Sequence, residues 1–430
     1  MRLSIPKGTR DFSPEEMRIR EYVISKIKEV FERYGFEALE TPAVEFLDVL
    51  MKKYGEEEKL IWKFKDLGGR DVALRFDLTV PLARYVAMNR NMPVPFKRYQ
   101  ISRVWRYDQP QKGRYREFWQ CDVDIVGSKS VLADAEIIAI TNDVLKAVGF
   151  KSFEIRINNR KLMSEIYKKL GIENEKDIFV AVDKIDKIGE MGVIDELKKR
   201  GVDDAKVKEI MDIIKIKGKP KKVLDRVKDY VSKETVGESE DFFEAVKLFG
   251  VPDEVISFDL SLARGLDYYT SFVFETVVKE GQVGSITGGG RYDKLIGLFA
   301  GKELPATGTT IGLERIIDAM KDMKMLPKLP SKTAVFIASA TDEVRKESIK
   351  ICQKLRKQGI NCDIDLMDRK LKKQMDYASS KQIPFCLIVG PKEINEKIFT
   401  LRDMRKGKEY RKSIEEIVEF LNQEKSRSED

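Results

Sequence analysis

The chain has 430 residues, 42% apolar and 35% charged, with a formal net charge of +8. That is the composition of a folded, soluble chain of two to four domains at roughly 100–200 residues each, and no apolar run approaches the roughly 20 residues a membrane helix needs. It contains no histidine, which excludes Ser-His-Asp and Cys-His hydrolases and H-E-x-x-H zinc sites and leaves acid–base work to carboxylates, Tyr, Lys or the substrate itself.

The first twelve residues lack the apolar core of a secretory signal. Cys121, Cys352, Cys362 and Cys386 show no C-x-x-C pairing, so a reducing, cytoplasmic setting is expected rather than a disulfide or thiolate-zinc scaffold. Ser13, Pro14 and Glu16 supply an N-cap, an N1 proline and a capping box, which starts a helix at residue 14. Val23, Ile27, Val30 and Tyr34 follow at helical spacing, and Gly35 stops the helix. Residues 36–41 read as a strand ended by Pro42. Further strands are expected at 72–76, 98–105, 118–125, 153–157, 273–278 and 282–287. Their irregular spacing, with no βαβ repeat between 60 and 130, favours an antiparallel or mixed sheet.

Residues 161–250 carry 20 basic and 20 acidic residues in a helical pattern, which marks 160–250 as a helical insertion in a core formed by 1–159 and 251–322. Residues 323–332 lie in a Lys- and Pro-rich run that reads as a linker. Beyond it, strands at 334–338, 362–366 and 385–389 alternate with helices near 342–358 and 371–381. That predicts a separate α/β domain over 333–430 with a mainly parallel sheet. Residues 331–430 hold 22 basic against 17 acidic residues.

Four segments carry candidate chemistry. Residues 97–116 hold seven basic residues and one acid, interleaved with Tyr99, Trp105, Tyr107 and Tyr115; this suits phosphate contact with base stacking, or a solvated loop. Arg103, Arg106, Arg114 and Arg116 flank the turn at 108–113, and guanidinium groups bind phosphate oxygens bidentately. Gly288, Gly289 and Gly290 precede Arg291, Tyr292 and Asp293 and let a ligand approach the backbone, although no P-loop occurs. Gly312 and Arg315 sit where a strand runs into a helix, and R-G-L-D-Y-Y at 264–269 packs a cation, a carboxylate and two phenols together.

Taken in order, these segments resemble a class II aminoacyl-tRNA synthetase, and specifically the histidyl-tRNA synthetase family. The helix, strand and Pro42 resemble motif 1, the dimer element. R-Y-D at 106–108 through G-R-Y-R-E-F-W-Q at 113–120 resembles motif 2, and G-L-E-R at 312–315 resembles motif 3. Segments 264–269 and 288–293 resemble the two histidine-specific signatures. L-R-F-D-L-T-V-P at 74–81 and C-D-V-D at 121–124 are similar to the archaeal and eukaryotic branch. Asp77 and Asp124 stand where much of the bacterial branch has Glu.

The resemblance implies an α+β catalytic domain with an antiparallel sheet of six or seven strands, a helical insertion and a C-terminal α/β anticodon-binding domain. It implies ATP and Mg²⁺, the metal arriving with ATP and not from protein ligands alone, a homodimer, and L-histidine and tRNA(His) as partners. Arg106 and Arg264 match arginines on the α-phosphate; Asp108 and Phe118 match the adenine contacts; Arg315 matches the γ-phosphate arginine; Arg114 and Arg116 serve the phosphates or the tRNA end. Asp77, Thr79 and Gln120 match the α-amino site. Asp124 and Tyr268 match the imidazole contacts, with Tyr269 and Tyr292 lining the same pocket. No side chain here has an ordinary pKa near 6.5, about that of imidazole, so an acid limb near neutrality is expected to belong to the substrate ring. Two rivals are a regulatory paralogue, which would typically lose catalytic signatures or the anticodon domain, and a class II enzyme for another amino acid, which would lack the two signatures.

Overall fold

The computed structural model describes residues 3–52, 59–172, 174–264, 268–278 and 283–429. The chain divides into two compact units, Met1–Leu326 and Pro327–Asp430. In chain order the strands are β1 (Glu37–Ala38), β2 (Val44–Phe46), β3 (Lys63–Lys65), β4 (Asp71–Leu74), β5 (Phe96–Trp105), β6 (Glu117–Val126), β7 (Phe153–Asn159), β8 (Lys217–Gly218) and β9 (Ile256–Asp259). They continue with β10 (Phe272–Val278), β11 (Thr287–Arg291), β12 (Ala306–Gly312), β13 (Val335–Ser339), β14 (Cys362–Ile364), β15 (Phe385–Val389), β16 (Phe399–Asp403) and β17 (Glu409–Lys412).

The first helix, Pro14–Arg33, starts as its sequence requires. Ser13 accepts from the Glu16 amide, and Glu16 accepts from the Ser13 amide. Its stripe of Val23, Ile27 and Val30 is buried, and Gly35 turns the chain with φ +77°. The strand expected at 36–41 shrinks to β1. Beyond it, the Glu40 carboxylate collects the side chains of Arg75, Gln100 and Ser102, so side-chain bonding replaces the ladder there.

The main sheet runs β1-β5-β6-β12-β11-β10-β7-β9-β8. The six strands from β5 to β7 pair antiparallel, whereas β1 joins β5 and β9 joins β7 in parallel. The six or seven strands expected thus become nine, because two-residue pieces extend both edges. One face packs on Pro14–Arg33 and the helix Val131–Val148, through a core that includes Cys121, Val123, Ile125, Ile137 and Ile140. Between β7 and β9 the described residues are mostly helical from Arg160 to Leu248, with a kink at Gly189. Their apolar residues, among them Leu162, Ile166, Ile178 and Ile210, close around Phe258 and Leu260. The expected strand at 72–76 is β4, in a separate three-stranded sheet ordered β2-β4-β3.

The expected strand at 282–287 is displaced to β11, and its residue Gln282 lies outside the described residues. The glycines are the strand itself. Gly289 lies flat between the Gly308 carbonyl and the Phe274 ring, where a Cβ would collide. Low strand propensity is overridden by this close approach of backbones.

The second unit carries a sheet ordered β14-β13-β15-β16-β17. β13, β14 and β15 are parallel, as expected, but β16 and β17 add an antiparallel pair.

β11 is pinned at its end by a buried ion pair. Arg291 Nη2 lies 2.5 Å from Asp134 Oδ2 in the helix Val131–Val148, and its side chain also donates to the Ser128 and Ser130 carbonyls. Removing one partner of a buried pair strands the other charge. Asp134→Ala is therefore expected to lower stability by about 3–5 kcal/mol, measured by denaturant unfolding.

Candidate active site

The uncovered face of the main sheet forms a cleft of about 530 Å³. Strand alternation builds its floor. Along β6, Phe118, Gln120, Asp122 and Asp124 face the cleft, while Cys121, Val123 and Ile125 enter the core.

One end is rich in carboxylates. Arg98, with no solvent exposure, lies opposite Asp124 on the ladder, and its Nη2 is 2.8 Å from Asp124 Oδ2. Tyr292 donates its hydroxyl to Asp124 Oδ1. On the other side, Asp124 faces Gly308, where a Cβ would fall on the carboxylate. Tyr268 packs on Tyr269 with ring centroids 4.3 Å apart and meets Tyr292 edge-on at 6.5 Å. Burial pushes the Tyr268 phenol up to about 12, so it stays a donor. Asp77 Oδ1 accepts from the Val80 amide in the first turn of the helix Thr79–Met88 at 3.0 Å, which fixes that carboxylate. Asp122 is held up at about 7: burial raises it, Arg98 offsets part of that, and Asp124 raises it again.

The other end is rich in arginine. Arg106 lies over Phe76 at 4.5 Å and Phe118 at 5.2 Å, and its Nε donates to the Phe76 carbonyl. Arg315 donates to the Ser285 and Gly113 carbonyls. Burial, then the charges of Arg264, Arg114 and Arg106, pull its guanidinium below its ordinary value. A polyanion placed among these cations would relieve that cost. Arg264 donates to the Thr287 carbonyl, and its Nε sits 3.4 Å from Glu275. Glu275 is held in turn by Arg156, at 2.8 Å. The glycines now have a physical reason: a Cβ at Gly288 would occupy the Arg264 guanidinium, and one at Gly290 would meet the Tyr269 ring. Glu314 anchors the junction where β12 runs into the helix Leu313–Asp322, with Arg20 at 2.6 Å and the Trp119 amide at 3.0 Å.

All of Asp77, Thr79, Arg106, Asp108, Arg114, Phe118, Gln120, Asp124, Tyr268, Tyr269, Tyr292, Arg264 and Arg315 line this cleft. Gly265, Leu266 and Asp267, inside the segment 264–269, lie outside the described residues. The reading of 97–116 as one phosphate and stacking surface is corrected. Of its basic residues only Arg106 and Arg114 reach the cleft; Lys97, Arg98, Arg103 and Lys112 are tied to Glu136, Asp124, Glu117 and Asp322. Arg116 stacks on Tyr107 at 3.7 Å and donates to the Asp108 carbonyl, which separates its role from that of Arg114. Burial raises the Asp122 carboxyl toward neutrality, which adds a protein group beside the substrate ring as a source for an acid limb there. Sequence reasoning also missed Arg98, Thr310, Glu275, Glu314 and Asp183. The period of two along 118–124 was a signal for Asp122; nothing in the chain marked its neighbours.

A model of the histidyl-tRNA synthetase family matches residues 8–316, and one of the anticodon binding domain matches 333–424. The chain is 45% identical over 423 residues to the histidine--tRNA ligase of Aeropyrum pernix, covering 97% of each chain. It is 43% identical to that of Korarchaeum cryptofilum, covering 98% of this chain and 99% of the relative. The crystal structure of histidyl-tRNA synthetase from Nostoc sp. PCC 7120 superposes with a TM-score of 0.84 at 36% identity, over 99% of this chain and 100% of that one.

Asp122 gives a pH prediction. Its folded-state pKa is raised, so its stabilising contribution is full below the unfolded value near 4 and is lost as pH rises through about 7. Between pH 5 and 8 wild type should lose about 2–3 kcal/mol relative to Asp122→Asn, read from paired unfolding curves.

Proposed function

The chain belongs to the histidyl-tRNA synthetase family, and from that premise we propose which residues carry each part of its reaction. It ligates L-histidine to tRNA(His) for translation, using ATP and passing through histidyl-adenylate. In the first step a histidine carboxylate oxygen bonds to the α-phosphorus, and the bond to pyrophosphate breaks. In the second, the terminal ribose hydroxyl of the tRNA attacks the acyl carbon and AMP leaves. Orientation and charge stabilisation matter more here than proton transfer. The first nucleophile is already ionised, so the lack of histidine side chains is no handicap.

The observation that carries the assignment is the opposite polarity of the two ends of the cleft. ATP belongs at the arginine end. Arg106 and Arg264 hold the α-phosphate from two sides, Arg315 and Arg114 take the outer phosphates, and Asp108 and Phe118 take the adenine. Histidine belongs at the carboxylate end. Asp77, Thr79 and Gln120 take its ammonium; Asp124, Tyr268, Tyr269 and Tyr292 enclose its ring. Pocket groups that need a ring N–H or nitrogen are left unpaired by analogues lacking it, which can give about 10⁴–10⁵-fold discrimination. Mg²⁺ is assigned to the incoming nucleotide, whose phosphates supply oxygen ligands for it. The four free cysteines fit a cytoplasmic enzyme.

The proposed division is a catalytic core over 1–159 and 251–322, an insertion over 160–250, a linker over 323–332 and an anticodon-binding domain over 333–430. The exposed side chains of Val44, Phe46 and Phe64 on the three-stranded sheet favour a homodimer.

ATP–pyrophosphate exchange should respond to histidine and to no other standard amino acid. Both Arg264→Ala, which deletes a cation, and Gly288→Ala, which displaces it, should lower the exchange rate at least about 10²-fold; a near-normal kcat in either would remove Arg264 from the reaction. A chain ended at Leu326 should retain exchange and lose most aminoacylation; unchanged charging would defeat the anticodon-domain assignment. Sedimentation should give twice the chain mass of 49.5 kDa, and a monomer at working concentration would refute the dimer.

A further inference from the structure

Two acceptor oxygens at the carboxylate end of the cleft are without donors. Asp122 Oδ1 and Gln120 Oε1 are buried, and among the described residues nothing donates to either. Their side chains are 2% and 5% exposed, and both line the cleft. They sit two residues apart on the same face of β6. Thr310, opposite Asp122 on β12, links them: its hydroxyl accepts from Gln120 Nε2 at 3.2 Å and bonds the Asp122 carboxyl. Buried acceptors are expected to be satisfied, and a pair left open toward a cleft is a place for a ligand's N–H groups.

The charges around Asp122 narrow the choice. From its own strand Asp124 faces it; from β5, Arg98 and Gln100; from β12, Thr310; and from the segment before Thr79–Met88, Asp77. The strongest charges acting on Asp122 are thus one guanidinium, Arg98, and two carboxylates, Asp124 and Asp77. Asp124 already binds that guanidinium and the Tyr292 hydroxyl. Asp122 keeps one oxygen for a cation that the protein does not supply.

We propose that Asp122 is a further specificity-determining ligand of the amino-acid substrate, accepting a hydrogen bond from the histidine α-ammonium group beside Asp77 and Gln120 and giving up its own proton as that cation binds. An ammonium has three N–H donors; with Asp77, Thr79 and Gln120 already assigned to it, Asp122 brings the acceptor groups at this end to four and adds a second carboxylate against the positive charge. In the free enzyme the low-dielectric floor and the neighbouring carboxylates keep Asp122 protonated through mildly acidic pH. When the ammonium arrives, the carboxyl O–H bond breaks and the proton passes to solvent. The remaining carboxylate then pairs with the bound cation. The proposal rests on the reading of this end of the cleft as the site for histidine.

Difference infrared spectroscopy on the full-length enzyme at about pH 6.5, near the ordinary imidazole pKa, tests the proton directly. Adding histidine should bleach one protonated-carboxyl band in wild type, and the bleach should be absent from Asp122→Asn. In exchange assays Asp122→Asn should raise KM for histidine at least about tenfold, the size of a lost charged hydrogen bond, with KM for ATP within twofold; Asp122→Glu should recover part of the loss. No bleach in wild type, or a bleach that survives in Asp122→Asn, overturns the proposal, and the wild-type measurement holds even if the variant fails to fold. Asp124→Ala separates the two levels. If it raises KM for histidine while Asp122→Asn does not, Asp122 is no ligand. If neither variant changes that KM, the assignment of this end to histidine falls, and the proposal with it.

Discussion

A guanidinium with no exposure to solvent fixes the floor of the cleft. Arg98 on β5 reaches across the ladder to Asp124 on β6, and Gly308 on β12 leaves room for that carboxylate. A buried arginine is tolerated only when it is paired, so the three strands are locked in one register. That register decides which side chains enter the cleft. A slip of one residue on β6 would turn Gln120, Asp122 and Asp124 into the core and expose Cys121, Val123 and Ile125.

The rest of the site uses two unfavourable concentrations of charge, held apart. At one end carboxylates share too few cations, and at the other guanidinium groups crowd one another. Each arrangement raises the energy of the empty protein, and under the proposed assignment a ligand of opposite sign relieves it. Neither end relies on long, free side chains. Arg264 is held by Glu275 and Thr287, Arg315 by two carbonyls, and Asp77 by a helix amide. A fixed charge costs no reorganisation when the phosphate charge shifts during adenylation. The supporting residues come from distant parts of the chain: Arg20 steadies Glu314, and Arg156 steadies Glu275.

Local signals in the chain were read with little loss. The capping box at Ser13, the strands around 98–105 and 118–125, the helical run after 160 and the alternating pattern after 333 all rest on neighbours in sequence, and the structure keeps them with shifts of a few residues. Where the reading failed, a tertiary contact had displaced a local preference. Residues 36–41 lost most of a strand because Glu40 bonds side chains from β5 and from Arg75. Residues 287–291 gained one despite three glycines, because only glycine allows β10, β11 and β12 to lie so close to Arg264 and Tyr269.

The motif residues and their order mark the family along the chain alone, and composition limits the residue types open to a charged, histidine-free site. The resemblance, transferred position by position, also reached many of the residues that line the cleft, among them Asp77, Arg106, Asp124 and Arg315, but not Asp122, Asp183 or Thr310. What it could not supply was the environment of each group. That Arg98 is buried on Asp124 while Arg106 faces the cleft, that Arg116 stacks on Tyr107 while Arg114 lines the site, and that Asp122 sits between two other carboxylates are outcomes of strand pairing between segments far apart in sequence. Charge state and hydrogen-bond demand depend on the distance to such neighbours and on the water they displace, and both are set only when the sheet closes.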